Sequence, residues 1–336
     1  MIRRGGAQGG GCSIVLAAQA RHKRQAMSPD RVHILMCTRN GARWLPAQLD
    51  SLCAQTHPNW VLWVSDDGSE DATRAILEDF AARHPGRVAA IMEGPGQGSA
   101  VNFLSLLCHP DLPAAHVALC DQDDVWLPHK LAHAMAQLRP MEGQACGWSG
   151  RFRVCQSLDA AQVTPDACPQ GYLPAPWPRG PSLGNAVVQN IMSGHTLTLT
   201  PEALALIRRA GPVQVPHHDW WIYLLLMACD ARALIDPEVV LKYRQHGRNV
   251  LGRRTGLRAR LARLEWLLND TMRRWIAANL DALAAADLPL SPRARALLAA
   301  RDPQGGLGTL RQRFALHRQS RAETLLLMPA IWMRRL

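Results

Sequence analysis

Three carboxylates fall within four residues at Asp121-Gln122-Asp123-Asp124, and this acidic turn constrains the chain more than any other stretch. It follows an apolar run, His116-Val117-Ala118-Leu119-Cys120, which reads as a buried strand. It precedes Pro128-His129-Lys130-Leu131, which reads as a helix start with proline in the first turn. Carboxylates this close repel one another unless water or a cation separates them. Aspartates one residue apart in a turn can direct oxygens toward one hard divalent ion, and Mg²⁺ or Mn²⁺ keeps coordination positions open for phosphate. The alternative is a solvated acidic loop whose aspartates cap the following helix.

The neighbouring sequence favours the first reading. Val32–Cys37 reads as a strand, Thr38–Arg43 as a turn, and Trp44–Gln55 as a helix with Leu45, Leu49 and Leu52 on one face. A second strand, Trp60–Ser65, ends in Asp66-Asp67-Gly68-Ser69-Glu70-Asp71. A helix over Ala72–His84, a strand over Val88–Met92, the loop Gly94–Gly98 and a helix over Val101–Leu107 come next. Such alternation predicts a mostly parallel sheet with helices on both faces. Ligands bind such sheets beyond the carboxyl ends of the strands, where the turns at Thr38, Asp66 and Asp121 all lie. One shared site is therefore expected, although Asp66-Asp67-Gly68-Ser69 taken alone is also a tight turn with a cap. The Gly94–Gly98 loop lacks G-x-G-x-x-G between the first strand and helix, which argues against a dinucleotide site.

A chain of 336 residues, 48% hydrophobic, can hold one large α/β domain with an appendage, or two modest domains. Its net charge of +11 is uneven. Residues 253–336 carry sixteen Arg against six acids, and the first 26 residues carry five basic residues and no acid, which leaves Met27–Gly252 four charges negative. Basic ends on an acidic body suggest an anionic surface partner, membrane or nucleic acid. No nucleic-acid-binding motif accompanies the charge, so nucleic acid is the weaker choice. The nine cysteines show no metal-ligand spacing and read as buried free thiols in a reducing cytoplasm. Met1–Ala26 reads as disordered or untranslated, and no apolar run is long enough to span a bilayer.

Downstream, Gly147–Cys155 reads as another strand and the proline-rich Ser157–Ser182 as a long irregular loop. His217-His218-Asp219-Trp220-Trp221 opens an apolar helix running to Cys229. Asp219 there is either a cap or a general base, and the histidine pair has no partners at zinc-ligand spacing. Trp220 and Trp221 suit sugar stacking or the core. Val239–Tyr243 reads as an edge strand, followed by Arg244-Gln245-His246-Gly247-Arg248-Asn249. Arg244 suits a diphosphate and His246 a metal or phosphate oxygen, the alternative being a basic surface loop. Leu257–Leu283, Pro292–Ala300 and Leu310–Trp332 read as amphipathic helices, packed on the body or lying on an anionic membrane.

The ordered series Thr38-Arg39-Asn40-Gly41, Gln55-Thr56, Asp66 to Thr73, Asn102-Phe103, Asp121 to Trp126, the Asp219 segment and Tyr243-Arg244-Gln245-His246-Gly247-Arg248-Asn249 resembles family 2 glycosyltransferases. It is most similar to their rhamnosyltransferase-like branch, over about Val32 to Gly252, with Arg39 where relatives usually have Tyr. The resemblance implies a GT-A fold, a nucleoside-diphosphate-sugar donor, a divalent cation (Mg²⁺ or Mn²⁺) and inversion at the anomeric carbon. It implies donor contacts from Thr38, Asn40, Asp66, Asp67, Asn102 and Arg244, metal ligation by Asp121, Asp123 and His246, and Asp219 as the base. His195 receives no role. The expected organisation is a disordered segment 1–26, a GT-A domain 27–252 and a basic helical region 253–336. The expected activity is transfer of a sugar, rhamnose by the resemblance, to a glycan or lipid-linked acceptor, in the cytoplasm or on the inner face of the membrane. Another sugar, or a glycan-binding protein without turnover, are the alternatives.

Overall fold

The computed structural model describes residues 30–156, 163–164, 167–168, 171–245, 271–300, 313–321 and 323–325. The segment 1–26, His246, and about half of the expected helices Leu257–Leu283 and Leu310–Trp332 lie outside the described residues.

Strand β1 (Val32–Thr38) is fully buried, and its alternate residues face opposite ways. Val32, Ile34 and Met36 enter one core with helices α1 (Leu45–Cys53) and α2 (Thr73–Arg83). Leu35 and Cys37 enter the other with α3 (Ser99–Leu107). A strand buried on both faces needs a continuous apolar run, and VHILMCT supplies one. On either side of β1 lie β2 (Trp60–Asp66) and β4 (His116–Asp121), with β3 (Val88–Glu93) outside β2, all parallel. The register pairs Thr38 with Asp66 and Cys37 with Asp121. The three polar turns therefore emerge side by side at one edge.

The remainder of the sheet is mixed. After β5 (Val125–Trp126) and α4 (Lys130–Leu138) come β6 (Cys146–Gln156), the short α5 (Leu183–Ala186), β7 (Leu197–Leu199), α6 (Pro201–Ala210), α7 (His218–Ala228) and β8 (Arg232–Gln245). Among the described residues the strand order is β3-β2-β1-β4-β7-β6-β8-β5. β7 is antiparallel to both neighbours, β6 and β8 are parallel, and β5 is antiparallel to β8. The expected edge strand Val239–Tyr243 is the second half of a fourteen-residue interior strand, covered on its outer side by β5. A two-residue strand has no periodicity from which a sequence could predict it.

Helices α8 (Thr271–Ala285) and α9 (Pro292–Ala299) bury Met272, Ile276, Leu280, Leu283, Ala294 and Leu297 in the core that α7 occupies. Their apolar faces are thus taken by the body of the protein. Residues 313–321 are tied to α5 in the same manner. Asn185 donates to the His317 carbonyl at 3.0 Å, the Gln319 amide donates to Gln189 Oε1 at 2.7 Å, and Phe314 and Leu316 are buried. No helix among the described residues is long and apolar enough to cross a membrane.

Cys37, Cys120 and Cys146 are buried thiols, as expected. Cys155 and Cys168, however, form a disulfide, which corrects the reading of all nine as free. A backbone bridge between Val154 and Tyr172 folds the following loop back on β6 and brings the two Cα atoms within 5.2 Å. Cysteine usage therefore no longer argues for a reducing compartment.

A Cβ on Gly184 would lie 2.6 Å from the Ala315 carbonyl oxygen and 2.7 Å from that of Phe314. Both obstacles are backbone, so Gly184→Ala should push the 313–321 segment off α5 and destabilise the protein by about 1–3 kcal/mol. Thermal unfolding and limited proteolysis check this; an unchanged melting temperature with no new cleavage near residue 313 would contradict the docking.

Candidate active site

The turn after β1 is held by the turn after β2. Thr38 Oγ1 donates to Asp66 Oδ1 at 2.7 Å, and Asp66 also accepts from Ser69 Oγ (2.6 Å) and the Ser69 amide (3.1 Å). Asn40 adopts φ 47°, a left-handed conformation that Asn tolerates better than most residues. Its amide donates to Ser69 Oγ, while its side-chain oxygen accepts from the Glu70 amide, both at 2.8 Å. Asp67 accepts from the amides of Gly96 (2.7 Å) and Gly98 (2.8 Å), and so pins the glycine loop that enters α3. Asn102 donates to the Ser65 carbonyl at 3.0 Å.

Beside these turns stands the acidic one. Gln122 accepts from the Arg39 amide at 3.0 Å and donates to the Arg39 carbonyl at 2.9 Å, which joins the ends of β1 and β4. This side chain fills the space where a Cβ on Gly41 would sit, 2.0 Å from its oxygen. Asp124 is fully buried, and Asp121 has about a third of its side chain (34%) exposed. Loss of surrounding water, then the charges of Asp123 and Asp219, push the Asp121 carboxyl up to about 7, with Lys130 pulling it down. Burial and the same kind of repulsion, from Asp123 and Asp121, hold Asp124 well above the usual carboxylate range. Two cations lie behind the turn. The buried Arg244 donates from Nε to the Asp123 carbonyl at 3.0 Å, and its amide donates to Asp124 Oδ1 at 3.3 Å. Lys130, also fully buried, lies over the Trp126 ring at 3.2 Å.

Facing the acidic turn is the start of α7. Asp219 Oδ2 accepts from the Gly194 amide at 3.1 Å, and Oδ1 accepts from the Trp220 amide at 2.8 Å. His218 stacks on Phe103 with ring centroids 4.3 Å apart. His195 stacks on Tyr243 at 5.1 Å, and its Nδ1 lies 3.9 Å from Asp121 Oδ2. The two walls enclose one cleft of about 880 Å³.

Thr38, Asn40, Asp67, Asn102, Asp121, Asp123 and Asp219 all line that cleft. Asp66 and Arg244 do not; both are buried, with their polar groups turned to neighbouring turns. Trp220 and Trp221 are core residues, and the Trp220 Nε1 donates to the Ala186 carbonyl at 2.7 Å. His195, Asp124 and Lys130 were not assigned from sequence. Asp124 was inside the motif, whereas His195 lies in a segment, Asn190–Leu199, that resembles the family's acceptor-side strand, and Lys130 in a helix start; both reach the site only through folding. Asp121, Asp124 and His195 bring one potential ligand atom each within 4.8 Å of one another. Asp124 Oδ2 is buried without a hydrogen-bond partner among the described residues. Two carboxylates and an imidazole, with one oxygen unsatisfied, fit a divalent cation such as Mn²⁺ or Mg²⁺.

Residues 33–169 match the sequence family described as glycosyl transferase family 2. The dTDP-rhamnosyl transferase RfbG of Shigella flexneri is 25% identical over 258 residues, 74% of this chain and 84% of that protein. An Escherichia coli glucosyltransferase, WfgD, whose full name is UDP-Glc:alpha-D-GlcNAc-diphosphoundecaprenol beta-1,3-glucosyltransferase, is 30% identical over 100 residues. That match covers 30% of this chain and 38% of WfgD. Among solved structures, Staphylococcus aureus TarS 1-349 in complex with UDP-GlcNAc superposes with a TM-score of 0.51 at 16% identity. It covers 77% of this chain and 68% of TarS 1-349, a likeness of fold.

Burial, reinforced slightly by His217, lowers the His218 imidazole from its ordinary 6.5 to about 4 against the pull of Asp219. A group depressed on folding contributes stability that is full above its unfolded value and is lost as pH falls toward its folded value. The melting temperature of the wild type should therefore fall relative to that of His218→Gln between pH 6.5 and about 4. Parallel melting curves across that window would contradict a buried neutral His218.

Proposed function

We propose, from the match of residues 33–169 to glycosyl transferase family 2, an inverting, metal-dependent transferase. It moves a sugar from a nucleoside-diphosphate-sugar to a glycan or lipid-linked acceptor. Rhamnose is the sugar we assign, on the similarity to the rhamnosyl transferase RfbG across most of both chains. The catalytic unit is residues 27–252, with the basic helical region 253–336 as its support. One observation carries the reading: Asp219, Asp121 and Asp123 line a single cleft.

In this mechanism the donor's nucleoside lies along Thr38, Asn40, Asp67 and Asn102, with its diphosphate toward the acidic turn. Asp219 hydrogen-bonds the acceptor hydroxyl and takes its proton as that oxygen attacks the anomeric carbon. The bond from that carbon to the diphosphate oxygen breaks on the opposite side, so the nucleoside diphosphate leaves and the sugar is inverted. Asp121 and Asp123, supported by Asp124 and His195, are the residues that would hold a divalent cation; His246, a ligand by the family resemblance, lies outside the described residues. Such a cation supplies positive charge to the leaving diphosphate. Arg244 acts from behind, through the Asp123 carbonyl. His218 is the weaker candidate base, because burial leaves its imidazole a poor proton acceptor.

Chelation should abolish donor hydrolysis, and added Mn²⁺ or Mg²⁺ should restore it. Asp123→Ala should bind donor weakly even with metal present. Full activity in excess chelator would remove the cation from the mechanism. Asp219→Asn keeps the shape and accepts the Gly194 amide but takes no proton at neutral pH. Turnover should fall by about 10²–10⁴-fold while the donor dissociation constant stays nearly unchanged. Turnover within about threefold of wild type, far inside that range, would move the base elsewhere.

A further inference from the structure

The short turn Gly194–Thr196 touches both halves of the site. Its Gly194 amide donates to Asp219 Oδ2 at 3.1 Å. One residue on, the His195 ring lies against Asp121, and the His195 carbonyl accepts from Lys130 Nζ at 2.8 Å. Thr196 then bonds Ser149 of β6 at 2.7 Å. The base and the acidic turn are therefore spaced by one peptide segment, and Lys130 holds its middle.

A lysine is an expensive means of making such a contact. A fully buried ammonium is stable only where it is hydrogen-bonded and near opposite charge. Here it lies over the Trp126 ring and bonds the His195 carbonyl, and burial lowers its pKa to about 7 against the pull of Cys120, Asp124 and Asp121. An apolar residue would pack on Trp126 as well but would leave the His195 carbonyl without this donor. The position demands an N–H at the end of a long apolar stem.

We propose that Lys130 is a positioning residue for glycosyl transfer, which fixes the His195 carbonyl and so sets the distance between Asp219 and the acidic turn. This rests on the transferase reading above. Lys130 lines no part of the cleft and touches no substrate in this scheme. Its effect is on alignment, and a misplacement of about 1 Å costs about 10²-fold in rate.

Lys130→Met keeps the stem and removes the ammonium, and Lys130→Gln retains an N–H donor without charge. Three quantities are read on the full chain: Mn²⁺ affinity by electron paramagnetic resonance without donor, melting temperature, and kcat and KM for the fastest-hydrolysed member of a nucleoside-diphosphate-sugar panel. For Lys130→Met, kcat should fall by about 10²-fold with little change in KM. Mn²⁺ should bind at least as tightly as to wild type, because a neighbouring cation has gone. Lys130→Gln should recover part of kcat, and it carries the test if the Met variant does not fold. A Met variant with wild-type kcat would overturn the proposal and leave the transferase reading intact. Loss of Mn²⁺ binding together with kcat would also overturn it, since that pattern means collapse of the acidic turn. A wild-type chain inactive toward every donor would overturn both.

Discussion

Mutual repulsion among Asp121, Asp123 and Asp124 is the constraint around which this molecule is built. Burial raises the Asp121 and Asp124 carboxyls first, and the like charges beside them in the turn raise them further. Two buried cations offset the repulsion from behind the turn, Lys130 from α4 and Arg244 from β8. Lys130 stands six residues beyond the turn, whereas Arg244 comes from the far end of β8. Arg244 reaches it because the last residues of β8 lie beside β5, the two-residue strand that follows the turn.

Several residues of the motif series also tie one turn to the next. Asp66 accepts from Thr38 and Ser69, and Asn40 bridges to Ser69 and Glu70. Gln55 donates to the Leu127 carbonyl and accepts from the Leu131 amide, and so fixes the exit from the acidic turn to α4. These bonds cross from one strand end to the next, which is why their residues occur as an ordered series along the chain. A motif of this kind marks an architecture as much as a binding surface. Asp67 and Asn102 do both, since each is bonded internally and also lines the cleft.

The parallel half of the fold was legible in the sequence because each of its strands is an apolar run closed by a polar turn. Strand β1 was expected over Val32–Cys37 and spans Val32–Thr38. The mixed half was less so: β7 has three residues and β5 two, and β8 begins in Arg232-Ala233-Leu234-Ile235-Asp236-Pro237, where Asp236 and Pro237 read as a break. The cleft-lining aspartates were found from their motifs. His195 and Lys130 were not, because their importance lies in a carbonyl 65 residues away and a ring stacked on Tyr243. The amphipathic pattern of the C-terminal helices was visible, but pattern alone could not decide what their apolar faces meet; in α8 and α9 they meet the core.

The proposed arrangement, with Asp219 as the base across the cleft from the leaving diphosphate, permits a single displacement and therefore a single stereochemical outcome. The most direct test is proton NMR of the newly formed glycoside, read for the configuration of its anomeric carbon against that of the donor. Inversion is the result that Asp219 facing the acidic turn predicts. Retention would require a second nucleophile on the donor side, and would contradict the account at its centre.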